Sequence, residues 1–278
     1  MKRCLIIQNT FNNEIPFFTQ AVVDFLIEKN IDVNLVNYSG QTECCENDSY
    51  DFAVTLGGDG TVLFATRCCA LKKIPIFPIN LGEFGFIAGI QKNAWQKPLE
   101  DFINGKLLVT KRTMLQGTLF RDGEKIFTSQ ALNDIVISAQ AAKMLSLNVV
   151  CNGFSFGVFK SDGIIAATST GSTAYSASAG GPLVDPTLDA IILSSICPFS
   201  LAGRPLVLPH TAVLDIEVLP SRGAEPVITY DGQISVNLKV NDKIKISISE
   251  KKALLVGCDS HIFYEAIQSK MHWFGGVS

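Results

Sequence analysis

The feature that most limits the fold is a change of pattern near Gly105. Before it, strand-like and helix-like segments alternate. Cys4 to Ile7, Val33 to Val36, Asp51 to Leu56 and Ile74 to Ile79 are short apolar runs. Between them Glu14 to Lys29 has helical spacing, with Phe17, Val22, Phe25 and Leu26 on its apolar side, and Thr61 to Leu71 also reads as helix. Trp95 to Gly105 is a further short helix. Strands separated by helices imply a parallel sheet with crossover connections. After Gly105 the segments become short and β-rich: 117–120, 135–138, 146–150, 154–159, 213–218, 227–230 and 244–248. Turn residues separate them, including Arg121-Asp122-Gly123, Cys151-Asn152-Gly153, Asp231-Gly232 and Asn241-Asp242. Asn152-Gly153 is the signal of a two-residue hairpin. The pattern therefore predicts an α/β domain over residues 1–100 and an all-β domain over 101–259. Ser172 to Gly181, rich in small residues, interrupts the second with a helical turn.

Composition narrows the function. Hydrophobic residues make up 47% of the 278, and charged residues 18%, which is globular. The net charge of −3, without a basic run, speaks against a nucleic-acid partner. Met1 to Asn9 holds too short an apolar run for a secretory signal, and no stretch reaches the roughly 18 apolar residues of a membrane span. The expected location is cytoplasmic, with no membrane partner. A reducing compartment leaves the eight cysteines as thiols. Cys4, Cys68, Cys69 and Cys197 lie among apolar residues and read as small core hydrophobes. No C-x-x-C occurs and there are three histidines, so no metal ligands are assigned.

Three places carry chemistry. Gly57-Gly58-Asp59-Gly60-Thr61 joins a strand to a helix. Glycines there let a phosphate approach the backbone, and a helix start supplies N–H groups and positive dipole. An acidic side chain in such a loop suggests proton acceptance or metal holding. The alternative is a left-handed turn in which Asp59 caps the helix through Thr61. The second place is Asp162-Gly163 followed by Thr168 to Ser176 and Gly180-Gly181-Pro182. These present hydroxyls, backbone amides and the Tyr175 ring to a polar ligand, or form a Ser/Thr-rich loop without one. The third is Asn133-Asp134, where an amide beside a carboxylate can read a ribose diol. Alone it reads more simply as a turn at a strand start.

Taken together, these motifs resemble the NAD kinase family in order and spacing. Asn80 to Phe86, Arg112 to Leu115, Thr170 to Tyr175, Arg204 to Pro209 and Asp231-Gly232 add to the likeness, which covers nearly the whole chain. The resemblance implies an N-terminal Rossmann-like domain and a C-terminal β-sandwich, with the tail 260–278 packing back on the first domain. It implies a homodimer or homotetramer that uses ATP, possibly polyphosphate, and Mg²⁺ to phosphorylate the 2′-hydroxyl of the adenosine ribose of NAD. Asp59 would be the general base, and Gly57, Gly58, Gly60 and Thr61 would meet the donor phosphates. Asn133, Asp134, Asp162, Thr170, Thr173, Ala174, Tyr175 and Ser178 would line the NAD site, with Phe84 on the adenine side. The chain departs from the family at Asp134, where Glu is usual, at Ser169, where Pro is usual, and at Glu83 and Ala88. Arg67 and Arg112 are candidates for phosphate charge or solvated surface arginines.

Lipid and sphingoid kinases share the glycine loop but follow it at once with Asn-Glu, whereas Val62-Leu63-Phe64-Ala65 follows here. Gly153 to Gly157 fits G-x-S-x-G, yet no helix follows, so Ser155 reads as a strand residue. A non-catalytic NAD-binding regulator is the remaining alternative, and the intact Asp59 speaks against it.

Overall fold

The computed structural model describes residues 1–10, 15–40, 49–82, 85–141, 143–200 and 203–271. The chain divides into two compact units, Met1–Arg112 with Lys251–Ser278, and Thr113–Glu250. The first unit opens with β1 (Lys2–Asn9), α1 (Ile15–Glu28), β2 (Ile31–Tyr38), β3 (Phe52–Gly57), α2 (Asp59–Cys69) and β4 (Ile76–Asn80). Then come the two-residue β5 (Ile90–Gln91), α3 (Gln96–Ile103) and β6 (Val109–Arg112). The second unit runs through β7 (Leu115–Arg121), β8 (Glu124–Ala131), β9 (Asp134–Ala139), β10 (Leu145–Cys151), β11 (Phe154–Ser161) and β12 (Gly163–Thr168). A 3-10 turn over Thr170–Thr173 and the single-turn α4 (Tyr175–Ser178) follow. β13 (Ala190–Ile196), β14 (Leu206–Pro209), β15 (Val213–Leu219), β16 (Pro226–Tyr230), β17 (Ile234–Asn237) and β18 (Lys243–Ile248) complete it. β19 (Ala253–Val256) and α5 (Ser260–Met271) belong again to the first unit.

The first unit's sheet has the order β2-β1-β3-β4-β19-β6, with β5 beside β4. Its strands are parallel except for the antiparallel β19–β6 pair. That pair explains why the division falls at 112 and 251 rather than at 100 and 259. β6 and β19 hydrogen-bond to each other, and β19 to β4, so both stay with the first sheet. In α1 the buried stripe is Ile15, Thr19, Val22 and Leu26. Phe17, expected on the apolar side, is 86% exposed, because five residues before Val22 turns it well off that stripe. α2 is buried on nearly every face, as a helix set into a core must be.

In the second unit, two six-stranded sheets are ordered β11-β10-β15-β18-β7-β8 and β14-β13-β12-β9-β16-β17. Their facing side chains form one cluster, with Leu119, Leu147 and Ile216 from the first sheet and Ile137, Ile164 and Tyr230 from the second. β12 and β13 escaped the periodicity reading. Ile164 and Ala166 enter this core while Ile165 and Ala167 enter a smaller cluster on the other face, so no polar alternation marks the strand. Asn152-Gly153 does form the two-residue hairpin, with φ of 48° and 81° and Cys151 paired to Phe154. Ser155 lies in β11.

Two cysteines depart from expectation. Cys68 is disulfide-bonded. It sits on the half-buried face of α2, where a thiol can reach a partner, while Cys69 beside it is buried. Cys197 is exposed, because the chain turns at φ 45° there, just past β13.

Candidate functional site

The Gly57–Thr61 loop joins β3 to α2. No residue in it adopts the left-handed region, so the turn reading does not hold. Nor does Asp59 cap its own helix. Its carboxylate accepts backbone N–H groups from Phe86 (3.0 Å, at Oδ2) and from Ile87 and Ala88 (3.2 and 3.0 Å, at Oδ1). A carboxylate has about four acceptor positions, so three amides fix the group and leave room for one more donor. Gly85 makes this possible: a Cβ there would lie 2.3 Å from Asp59 Oδ1. The loop glycines serve two purposes. A Cβ on Gly57 would meet Thr61 Oγ1 at 2.2 Å, so the protein itself requires that glycine. Gly58 and Gly60 face open space, where their bare backbone admits a ligand.

The second centre is a cavity of about 370 Å³ in the second unit, lined by Asn133, Asp134, Val136, Ser138, Ala174, Tyr175, Thr229, Asp231 and Gly232. Strand alternation builds it. Along β9, Ile135 and Ile137 enter the core, which turns Asp134, Val136 and Ser138 to the opposite face. Along β16, Ile228 and Tyr230 enter the core, and Thr229 and, just past the strand, Asp231 turn outward. The register pairs Ile135 with Tyr230, and Asp231 N–H donates to the Asp134 carbonyl at 2.9 Å. The two carboxyl-bearing residues are therefore cross-strand neighbours. Asp134 is 5% exposed. Burial, and then the charge of Asp231, push its carboxyl up to about 7 from the ordinary 3.8. Among the described residues, no lysine, arginine or histidine lines the cavity. Such a lining accepts hydrogen bonds from hydroxyl or amino groups and disfavours a phosphate. Asn133 Oδ1 is buried and lacks a hydrogen-bond partner among the described residues, so a donor placed there is favoured.

Of the residues singled out from sequence, the cavity brings together Asn133, Asp134, Ala174 and Tyr175. The Tyr175 ring is 46% exposed and free to meet a ligand face. Thr170 and Thr173 stand in the adjoining 3-10 turn and Ser178 at the end of α4, none of them in the lining. Asp162 is not brought there either, because it precedes β12 while the 3-10 turn follows that strand's other end. Phe84 and Glu83 lie outside the described residues. Neither candidate arginine is a solvated surface group. Arg67 is buried against the Phe64 ring, 5.5 Å from its centroid, and Arg112 is buried and donates to the Cys258 carbonyl. His210 is exposed. Val136, Ser138 and Thr229 were missed as lining residues. Only knowing which strand face meets the core identifies them.

Two family models match the chain: the ATP-NAD kinase N-terminal domain over residues 27–107 and the ATP-NAD kinase C-terminal domain over 132–258. An NAD kinase of Treponema denticola is 44% identical, over 100% of this chain and 99% of its own. One of Geobacter sulfurreducens is 37% identical, over 80% and 78%. Among solved structures, yeast NADH kinase complexed with NADH superposes with a TM-score of 0.85 at 25% identity, covering 100% of this chain and 89% of that one. An Archaeoglobus fulgidus NAD kinase in complex with ATP gives 0.75 at 25% identity, covering 95% and 96%.

Proposed function

The chain belongs to the NAD kinase family, and from that premise we propose how its residues divide the work of phosphorylating NAD with ATP. Asp59 is the general base. As the ribose 2′-oxygen attacks the γ-phosphorus and the bond to the β-phosphate oxygen breaks, the hydroxyl proton passes to the Asp59 carboxylate and ADP leaves. The observation that carries this reading is the carboxylate held by the amides of residues 86–88 with an acceptor position to spare. Fixing the base in advance removes the cost of orienting it during reaction.

Gly58 and Gly60, at the start of α2, admit the donor phosphates, with Gly57 and Thr61 shaping the loop beneath. The carboxyl-lined cavity takes the uncharged parts of NAD. Asn133 and Asp134 face a ribose diol, and Tyr175 and Ala174 meet a ring or ribose face. Thr170, Thr173, Ser178, Asp162 and Phe84 keep their assignment to the NAD site on resemblance alone. Among the described residues no three His, Cys, Asp or Glu side chains gather as a metal site. The Mg²⁺ we assign would come with the ATP phosphates and neutralise their charge.

We read the first unit as Rossmann-like, from its parallel β2-β1-β3-β4 order, and the second as a β-sandwich, from the core its two sheets share. Among the described residues no helix is long and apolar enough to cross a membrane. A cytoplasmic location and a homodimer or homotetramer complete the proposal. Light scattering of the purified protein tests the last point.

The deciding experiment follows NADP formation from NAD, ATP and Mg²⁺ by the wild type and Asp59→Asn, with polyphosphate as a second donor. The amide removes the basicity and turns an N–H group towards a backbone donor of residues 86–88. NAD affinity is therefore measured alongside turnover. The expected result is a kcat lower by about 10²–10⁴ with NAD binding within a few-fold of wild type. A near-normal kcat would remove Asp59 from the role of base.

A further inference from the structure

Asp231 was noted in the sequence as part of a turn and of the family likeness, without a role. Its carboxylate is engaged on both oxygens. Oδ2 accepts the Leu132 N–H at 2.8 Å, and Oδ1 accepts those of Asn133 and Asp134 at 2.7 and 3.1 Å. Three successive amides of one corner thus converge on one side chain that lies far away in sequence. Its own backbone N–H returns a bond to the Asp134 carbonyl. The residue holds this position at φ 51°, with Gly232 after it at 65°. That is a left-handed conformation which few side chains other than Asn and Asp tolerate.

The same corner is gripped from the other side. Thr168 Oγ1 donates to the Leu132 carbonyl at 2.6 Å and accepts the Gly171 N–H at 3.0 Å, and the Thr168 N–H donates to the Asn133 carbonyl at 2.8 Å. Gly171 lies so close that a Cβ would stand 2.0 Å from the Asn133 carbonyl oxygen. The backbone from Leu132 to Asp134 therefore has little freedom. A like charge directly across a strand pair is unfavourable, a cost that the three amide bonds to Asp231 offset.

We propose that Asp231 is a positioning residue for the substrate NAD, holding the Asn133–Asp134 corner through these three amides so that both side chains stand ready for the ribose hydroxyls. The proposal rests on the reading above that Asn133 and Asp134 meet a ribose diol. It also makes Asp231 an electrostatic tuner of its neighbour. Around Asp134, the turn after β16 contributes Asp231, the cavity wall contributes Tyr175, and β12 places Ala167 opposite. Burial, the larger cause, and then the charge of Asp231 raise the Asp134 carboxyl to about 7. The ribose hydroxyls need the ionised form as acceptor, so the KM for NAD falls as pH rises through this range.

The test compares wild type, Asp231→Asn and Asp134→Asn in NADP formation from pH 5.5 to 8.5, with thermal unfolding as a control. Asparagine tolerates the left-handed backbone, so the turn is retained. It can accept at one end only, and its amide faces a donor at the other. For Asp231→Asn the expected result is a KM for NAD raised on the order of tenfold, a kcat changed less, and a midpoint of the pH dependence shifted downward but not abolished. A residue that merely supports the fold would lower stability without moving that midpoint. An unchanged KM and midpoint in Asp231→Asn, while Asp134→Asn raises KM, would overturn the positioning role alone. An unchanged KM in Asp134→Asn would overturn the ribose reading and this proposal with it. Failure of Asp231→Asn to fold would make it a folding residue and overturn the proposal.

Discussion

Replacing Asp134 with Asn is expected to stabilise the free protein at neutral pH while impairing it as an enzyme. In the unfolded chain the Asp134 carboxyl ionises near 3.8, whereas in the folded protein it keeps its proton to about 7. Between those values the folded state binds more protons than the unfolded one, so this group's contribution to stability falls as pH rises from about 4 to about 7 and is constant beyond. At about 1.4 kcal/mol per unit, the interval amounts to roughly 4 kcal/mol by pH 8. Asparagine has the shape of the protonated acid and does not ionise. Titrating groups away from Asp134 and its neighbour Asp231 are common to both proteins and cancel in the difference. The stability gap should therefore move by roughly 4 kcal/mol in favour of Asp134→Asn between pH 4 and pH 8. Urea unfolding at pH 4, 6 and 8, analysed for midpoint and slope, measures it. A gap that stays flat with pH, or wild type the more stable at pH 8, would refute the account of a carboxyl buried beside Asp231. The same variant loses the ionised acceptor proposed for the ribose, so its KM for NAD should rise as stability improves.

Gly57→Ala and Gly58→Ala should separate the two uses of glycine in the loop. The first places a methyl against Thr61 Oγ1 and Asn9 Cβ, so it should lower the unfolding midpoint and abolish turnover. The second meets no protein atom, so it should leave stability within about 0.5 kcal/mol of wild type and raise the KM for ATP. Gly85→Ala should lower kcat with the fold kept, because its methyl would displace the Asp59 carboxylate while leaving the core of the sheet intact. Arg112→Met should destabilise by about 1–3 kcal/mol, since the buried Cys258 carbonyl loses its donor, and denaturant unfolding reads this directly.

The N-terminal alternation of strand and helix was legible because short apolar runs such as β3 and β4 are set off by segments of helical spacing such as α1, even where the strand is buried on both faces. Gly57 to Thr61, Asn133 and Asp134 were legible as chemistry because glycines, an amide and carboxylates in those places serve no obvious packing purpose. β12 and β13 were not, since a strand buried on both faces loses the period of two. Phe17 was misplaced because several phases of one helix fit an apolar-rich segment, and the sheet it packs on chooses among them. The surface reading of the arginines failed because both are charged in sequence but buried in the fold, Arg67 against the Phe64 ring of its own helix and Arg112 against the Cys258 carbonyl, distant along the chain.

The sequence by itself determined the class of chemistry and pointed to the residues proposed to perform it, because those depend on functional groups and on local backbone freedom. Only the tertiary structure decided how the groups are held. The amides of Phe86 to Ala88 hold Asp59, and those of Leu132 to Asp134 are held by Asp231, across 27 or more residues in the first case and 97 or more in the second. The buried neighbourhood that keeps the Asp134 carboxyl protonated near neutrality is assembled from strands that meet only when the sheet forms. Burial and hydrogen bonding are properties of that assembly, and no local pattern encodes them.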